Sequence, residues 1–360
     1  MDYAIRQKKL AIELGQAGVD ALLITHLPNI RYLCGFTGTA GALLVPAGLR
    51  RSMFITDGRY TQQASEEVHG AKVVISRKPA WMAACERAQK AGTARLGFEA
   101  QHISYGSYHE LAKLARGQMR LKPLSGLPEH LRETKDPDEV TQIRAAAALA
   151  DNLFQTALSS IRAGAPEALV AGAMEMHARK EGAERMSFDT IVAAGPRSAL
   201  PHGRASSQPI PASGFIILDY GVILAGYCSD MTRTVHLGRV SRKRRSMYAA
   251  VREAQLASIE AVRPGVEAGA VDRAGRQLLK KAGYGAYFSH STGHGVGIEV
   301  HESPRLAKGQ TQQLAPGMVV TIEPGIYIPE EGGVRIEDMV LVTATGHEVL
   351  TTVTKDLIEL

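Results

Sequence analysis

The chain has 360 residues, of which 45% are hydrophobic and 22% charged, with a formal net charge of +6. That length holds two domains or one large one, and the composition is that of a globular chain rather than a disordered or fibrous one. No apolar run approaches the roughly 18 residues of a membrane helix. The three cysteines, Cys34, Cys85 and Cys228, are odd in number and far apart, which excludes a disulfide framework and a cysteine-based zinc site.

The first stretch, MDYAIRQKKLAIELGQAG, reads as an amphipathic helix without the apolar segment of a signal peptide, so a cytoplasmic location is expected. Up to about residue 130, helix and strand alternate. DALLIT (20–25), GALLVP (41–46), RSMFIT (51–56), AKVVIS (71–76) and RLGFE (95–99) are short apolar runs bounded by turn residues. Helical patterns fall near 3–17, 59–68, 80–91 and 105–116. This is an α/β domain around a mostly buried sheet. LRETKDPDEV (131–140), charged and carrying Pro137, reads as a joint. The expected domains are therefore 1–132 and 133–360. Asp138 and Glu139 suit the positive end of the long helix that runs from this joint to about 162. Further helices are expected after Pro166 and near 242–262 and 268–282. Strand-like runs cover 187–193, 214–224, 226–237, 318–328 and 334–343. The second part thus reads as an α+β domain, an antiparallel sheet backed by helices. The one dense basic run, Arg242-Lys243-Arg244-Arg245, opens a helix without an aromatic platform. It reads as solvated charge, and no nucleic acid is expected as a partner.

The acids of the second domain stand in apolar surroundings. FIILDYGVILAGYCSDMTRTVHL (215–237) places Asp219 and Asp230 in a strand-like run. A hairpin turning at Leu224-Ala225 sets them directly opposite each other, with Cβ atoms about 5 Å apart. Two buried carboxylates that close need either a proton on one of them or a cation between them. VVTIEPGIYIPEEGGVRIEDMVLV (319–342) repeats the device: a hairpin centred on Glu330 pairs Glu323 with Glu337. Four converging acids without a cation would repel prohibitively.

Between the hairpins lies HSTGHGVGIEVHESP, with His290, His294 and His301. The first two have the spacing of a zinc-binding helix. However, the general-base glutamate is missing, and Gly293, Gly295 and Gly297 argue for a loop or strand. A phosphate loop is a poor fit, because no Lys-Ser/Thr follows. Each histidine alone reads more readily as structural; beside four acids, an imidazole becomes a candidate ligand. Oxygen-rich ligation with one imidazole suits Mn²⁺, Co²⁺ or Zn²⁺. Four carboxylates suit two such ions about 3.5–4 Å apart.

Asp219, Asp230, His294, Glu323 and Glu337 stand in the words LDYG, GYCSDMTRT, STGHGVGIEVHE, TIEPGIY and GGVRIED. In order and context these resemble the ligand set of the pita-bread metallopeptidases, which include methionine aminopeptidase, aminopeptidase P and prolidase. PNIRYLCGFTGTAGALLV and FITDGRYTQQA resemble the smaller domain that Xaa-Pro peptidases carry. The resemblance implies an α/β N-terminal domain of the creatinase/prolidase type and an α+β pita-bread (creatinase/aminopeptidase-like) catalytic domain. It implies that Asp219 and Asp230 chelate one ion, that Asp230 and Glu337 bridge both, and that His294 and Glu323 complete the other. Mn²⁺ is expected first, with Co²⁺ or Zn²⁺ as alternatives.

The same resemblance gives His202, in SALPHGRAS, and His290 to the substrate pocket, and His301 to the tetrahedral intermediate. Glu323 would also carry a proton to the leaving proline nitrogen. Arg335 is placed to orient carboxylates and in related enzymes is linked to the substrate end. Tyr327 is either a supporting hydroxyl or a plain sheet tyrosine. The implied reaction is hydrolysis of the Xaa-Pro imide bond by a hydroxide bridging two metals, in a homodimer. The short connector IPEEGG resembles that of small prokaryotic prolidases, so Xaa-Pro dipeptides are the expected substrates. Aminopeptidase P, acting on longer Xaa-Pro peptides, is the alternative. A non-enzymatic pita-bread protein or a creatinase-type amidinohydrolase is disfavoured, because all five ligands are kept.

Overall fold

A computed structural model of the chain describes residues 1–48 and 50–360. The backbone divides into two compact units, Met1–Arg132 and Glu133–Leu360.

The first unit is built on a six-stranded mixed sheet. Its spatial order is Ala71–Ile75, Ser52–Thr56, Ala42–Pro46, Ala21–Ile24, Arg95–Glu99, Arg120–Leu124. Ala42–Pro46 runs antiparallel to both neighbours, and the other pairings are parallel. Leu23, Leu44, Ile55 and Phe98 pack against Ala84, Cys85 and Ala88 of the helix Ala80–Lys90. Three elements escape the sequence pattern: the helices Leu27–Cys34 and Leu127–Glu133 and the strand Arg120–Leu124. That strand, RLKPL, shows no buried residue and contains Pro123. Proline cannot donate to a ladder and is confined to positions such as this sheet edge.

The stretch read as a joint, 131–140, contains the division between the two units, and its backbone is ordered. Leu127–Glu133 is helical, and Pro137 starts the helix Pro137–Ser160. Asp136 caps that helix: Glu139 N donates to Asp136 Oδ1 at 2.9 Å, and Asp136 N donates to Glu139 Oε2 at 3.0 Å. The pair satisfies two orphan donors reciprocally, and Pro137 has no N–H to lose at the first helical position.

In the second unit, every strand pairing is antiparallel among the described residues. Gly214–Tyr220 lies between Ile191–Ala194 and Met231–Leu237. All seven of its residues are buried, which is why the run shows no polar alternation. Leu149, Leu153, Val170 and Met174 of the helices Pro137–Ser160 and Glu167–Lys180 pack on Ile216, Leu218 and Val235. A five-stranded sheet runs in the order Glu302–Leu306, Gly293–Gly295, Val319–Ile322, Asp338–Val342, His347–Val349. It is backed by Ile259 and Val271 of the helices Arg242–Glu260 and Ala268–Lys281, against Val320, Ile322 and Val340.

The first acid hairpin differs from its expected register. The turn residues are Ala225 and Gly226, with φ of 48° and 81°. Leu224 pairs with Tyr227, and Asp219 faces Thr232 rather than Asp230. A two-residue turn whose twist matches the hairpin needs positive φ at both central residues. Gly226 adopts this freely, whereas branched Leu224 would be strained there. The slip moves Asp230 diagonally along the partner strand by an even step, so both acids keep the same face. In the second hairpin, Gly325 faces Arg335 and Ile322 faces Asp338. The register centred on Glu330 therefore runs through both ladders, with Glu323 and Glu337 at the break between them.

Candidate metal centre

The candidate ligands occupy strand ends and interruptions, where a side chain can reach out of the sheet. Asp219 is near the end of Gly214–Tyr220, Asp230 precedes Met231–Leu237, and Glu323 follows Val319–Ile322. His294 is at the centre of Gly293–Gly295, in a strand as the glycines suggested. Those glycines serve backbone approach rather than a phosphate. A Cβ on Gly293 would lie 1.9 Å from Thr321 O, and one on Gly295 would lie 2.1 Å from Ser303 O. Only a residue without a side chain lets the strands close on His294.

Ligand atoms of Asp230, His294 and Glu337 all lie within 4.8 Å of one another. His294 Nε2 is 3.6 Å from Asp230 Oδ2 and 3.6 Å from Glu323 Oε1. Its Nδ1 lies 3.0 Å from Gly295 O. A carbonyl only accepts, so this contact assigns the proton to Nδ1 and leaves the Nε2 lone pair facing the acids. Burial lowers the His294 pKa to about 4, helped by neighbouring His301, which keeps the imidazole neutral.

The acids are pushed the other way. Burial raises Asp230 and Glu337 well above the carboxylate range; Glu337 is the next cause for Asp230, and Glu323 for Glu337. Burial takes Glu323 to about 8, with Arg335 opposing and Asp219 adding. Asp219 accepts at Oδ2 from Arg335 Nη2 at 2.5 Å, while its Oδ1 is buried without a hydrogen-bond partner among the described residues. An orphaned buried carboxylate oxygen beside three proton-retaining acids is what divalent cations would satisfy. The donor set fits them.

Arg335 organises the rest. Its Nη1 donates to Tyr327 Oη at 2.7 Å and to Pro201 O at 3.1 Å, and its Nε to Thr232 Oγ1 at 3.2 Å. Thr232 Oγ1 in turn donates to Glu337 Oε2 at 2.6 Å. His290 Nδ1 lies 2.8 Å from Ser291 O and its Nε2 3.0 Å from Tyr327 Oη. The polarity is therefore fixed: Tyr327 accepts from Arg335 and donates to His290. Burial, then the charge of Arg335, lowers the His290 pKa to about 4. His301 meets the His294 ring edge-on with centroids 4.4 Å apart. His202 is exposed, and its charge acts on both His290 and His301.

Sequence reasoning missed Thr232 and Arg233. Arg233 is 1% exposed; its Nη1 donates to the carbonyls of Thr232 and Glu337 and its Nη2 to Asp338 Oδ1 at 2.7 Å. It ties the strand after Asp230 to the strand after Glu337. The available signal was an arginine inside an otherwise apolar strand.

The sequence profile of metallopeptidase family M24 matches residues 141–344, and that of the creatinase/prolidase N-terminal domain matches residues 6–134. The chain belongs to metallopeptidase family M24, with a creatinase-type α/β domain ahead of a pita-bread catalytic domain. Its structure is similar to that of the Xaa-Pro dipeptidase from Bacillus anthracis, with a TM-score of 0.96 and 42% identity over 100% of both chains. It is 37% identical to the Xaa-Pro dipeptidase of Pyrococcus horikoshii over 99% of this chain and 100% of that one. It is also similar to the X-Pro aminopeptidase from Thermotoga maritima, with a TM-score of 0.87 and 32% identity over 95% of this chain and 98% of that one.

Proposed function

We propose that this metallopeptidase is an Xaa-Pro dipeptidase, hydrolysing the imide bond of Xaa-Pro dipeptides. The observation that carries the reading is the convergence of buried carboxylates on the neutral His294, with Asp219 Oδ1 unpaired. Asp219 and Asp230 would hold one divalent ion, His294 and Glu323 the other, with Asp230 and Glu337 shared. The oxygen-rich set favours Mn²⁺, with Co²⁺ or Zn²⁺ as substitutes. When bound, the ions supply a nucleophilic water at neutral pH and polarise the scissile carbonyl.

The chain's own residues do the remainder. His301 donates to the oxygen of the carbonyl as charge develops there. Glu323, its side chain 18% exposed against 6% for Asp230, is the more open to the substrate and carries the proton to the leaving proline nitrogen. Arg335 holds Asp219 in place and, through Tyr327, fixes the His290 ring. His290 and His202 border the space for the proline ring, whose nitrogen has no N–H for a backbone-reading peptidase to use. The three cysteines are buried and free, which supports a reducing, cytoplasmic setting.

Full-length similarity to proteins named Xaa-Pro dipeptidase supports dipeptides as substrates. The Thermotoga maritima aminopeptidase supports the second reading, release of the first residue from longer Xaa-Pro peptides. Assays of Ala-Pro and Ala-Pro-Ala with Mn²⁺ separate the two. A dipeptide preference in kcat/KM of at least about tenfold, or 1.4 kcal/mol, is expected. The reverse preference assigns the aminopeptidase activity, and no hydrolysis of either peptide with Mn²⁺, Co²⁺ or Zn²⁺ contradicts both.

A further inference from the structure

A second buried charge cluster lies beside the metal centre. Lys135 Nζ is 3.0 Å from Glu302 Oε2 and 3.3 Å from Glu133 O. The two charged side chains are 1% and 6% exposed. Burying such charges is costly even when they are paired. The other Glu302 oxygen, Oε1, accepts from Glu299 N at 3.1 Å, and Gly297 N donates to Glu299 O at 3.0 Å. A Cβ on Gly297 would lie 2.5 Å from the Glu302 carboxylate. The carboxylate thus fills the underside of the 297–302 loop and closes it. This loop leaves the His294 strand and returns at His301, whose ring touches that of His294. Lys135 is itself anchored: its N donates to Gly317 O at 2.9 Å, and Thr134 bridges to Met318.

We propose that Lys135 is a positioning residue for His301. The buried Lys135–Glu302 pair fixes the 297–302 loop, and through it the place of the His301 ring beside His294. The ammonium group acts through the loop, and its role rests on the function of His301 proposed above.

The test is a double-mutant cycle in the full-length, Mn²⁺-loaded enzyme, using Lys135→Met, His301→Ala and both together. Lys135→Met is expected to keep its metal content, to lower kcat on an Xaa-Pro dipeptide by about 10- to 100-fold and to change KM by less than about threefold. Added to His301→Ala, it is expected to change kcat by no more than about twofold, since both act on one group. Lys135→Arg restores part of kcat only where His301 is present. If Lys135→Met folds poorly, Glu302→Gln, nearly the same size, is carried through the same cycle. Effects that multiply in the double variant, or loss of metal from Lys135→Met or Glu302→Gln, overturn the proposal. A His301→Ala enzyme with normal kcat is a different result: it removes the role of His301, and the proposal falls with it.

Discussion

Asp230 is 4% exposed and lies among Glu337, Asp219 and Glu323, so its charge is relieved either by a proton or by a cation. Asp230→Asn would remove a proposed shared ligand at little cost in volume. Supporting residues around metal sites cost about 10–100-fold in metal affinity. This ligand substitution is expected to cost at least as much and to abolish turnover, with the circular dichroism spectrum retained. Metal stoichiometry is the measurement, and unchanged binding would contradict the assignment. His301→Ala separates chemistry from binding: the metal is expected to stay while kcat falls by about 10²–10³-fold, the typical cost of an oxyanion donor, which is the role proposed for His301. Metal loss in that variant would make His301 a ligand.

The raised acids also give a pH signature. Glu323 titrates near 8 in the fold against 4.5 ordinarily. Without metal, the folded chain therefore holds a proton that the unfolded chain releases. Its contribution is fully present below about 4.5 and is lost as the pH rises through about 8. A metal ion competes with that proton and with those on Asp230 and Glu337. The melting-temperature gain from Mn²⁺ is therefore expected to grow from pH 5.5 to pH 8, and calorimetry in two buffers should show proton release on binding. A gain that shrinks over that range would contradict the buried, proton-retaining cluster.

At the scale of elements, the first acid hairpin turns through Ala225, a non-glycine residue with φ of 48°. A left-handed backbone costs an L-residue about 1–2 kcal/mol relative to glycine. Ala225→Gly is therefore expected to stabilise the metal-free protein by up to about 1 kcal/mol, after the greater entropy of glycine in the unfolded chain is subtracted. Thermal or denaturant unfolding measures it, and destabilisation would contradict the turn assignment. This hairpin also marks where sequence pattern runs out. Its strands are buried on both faces, so no polar alternation pins the register, and only the handedness of the Ala225-Gly226 turn decides it. The second hairpin was legible because Glu323 and Glu337 stand symmetrically about Glu330 in the connector IPEEGG. The short helix Leu27–Cys34 and the edge strand Arg120–Leu124 were not, since eight residues give little periodicity and Pro123 argues against a strand. Likewise the five candidate ligands stand in distinctive words. The contacts that aim them join residues 105 and 116 positions apart, Thr232 to Glu337 and Arg335 to Asp219, and the Lys135–Glu302 pair proposed to place His301 spans 167. No local pattern encodes those pairs.

At the scale of the whole molecule, every residue of the proposed chemistry, from His202 to Glu337, belongs to the unit Glu133–Leu360. The strands of that unit are ordinary antiparallel ladders; what is particular to it is the set of acids left at their ends. The account therefore depends on those acids serving as a two-ion site for hydrolysis before proline. The most direct test is to strip the full-length enzyme with a chelator, verify by elemental analysis that it is metal-free, and titrate Mn²⁺ while following proline release from Ala-Pro. The account predicts no proline release without metal and a rate that rises until about two ions are bound per chain. Full turnover by the verified metal-free enzyme would contradict it.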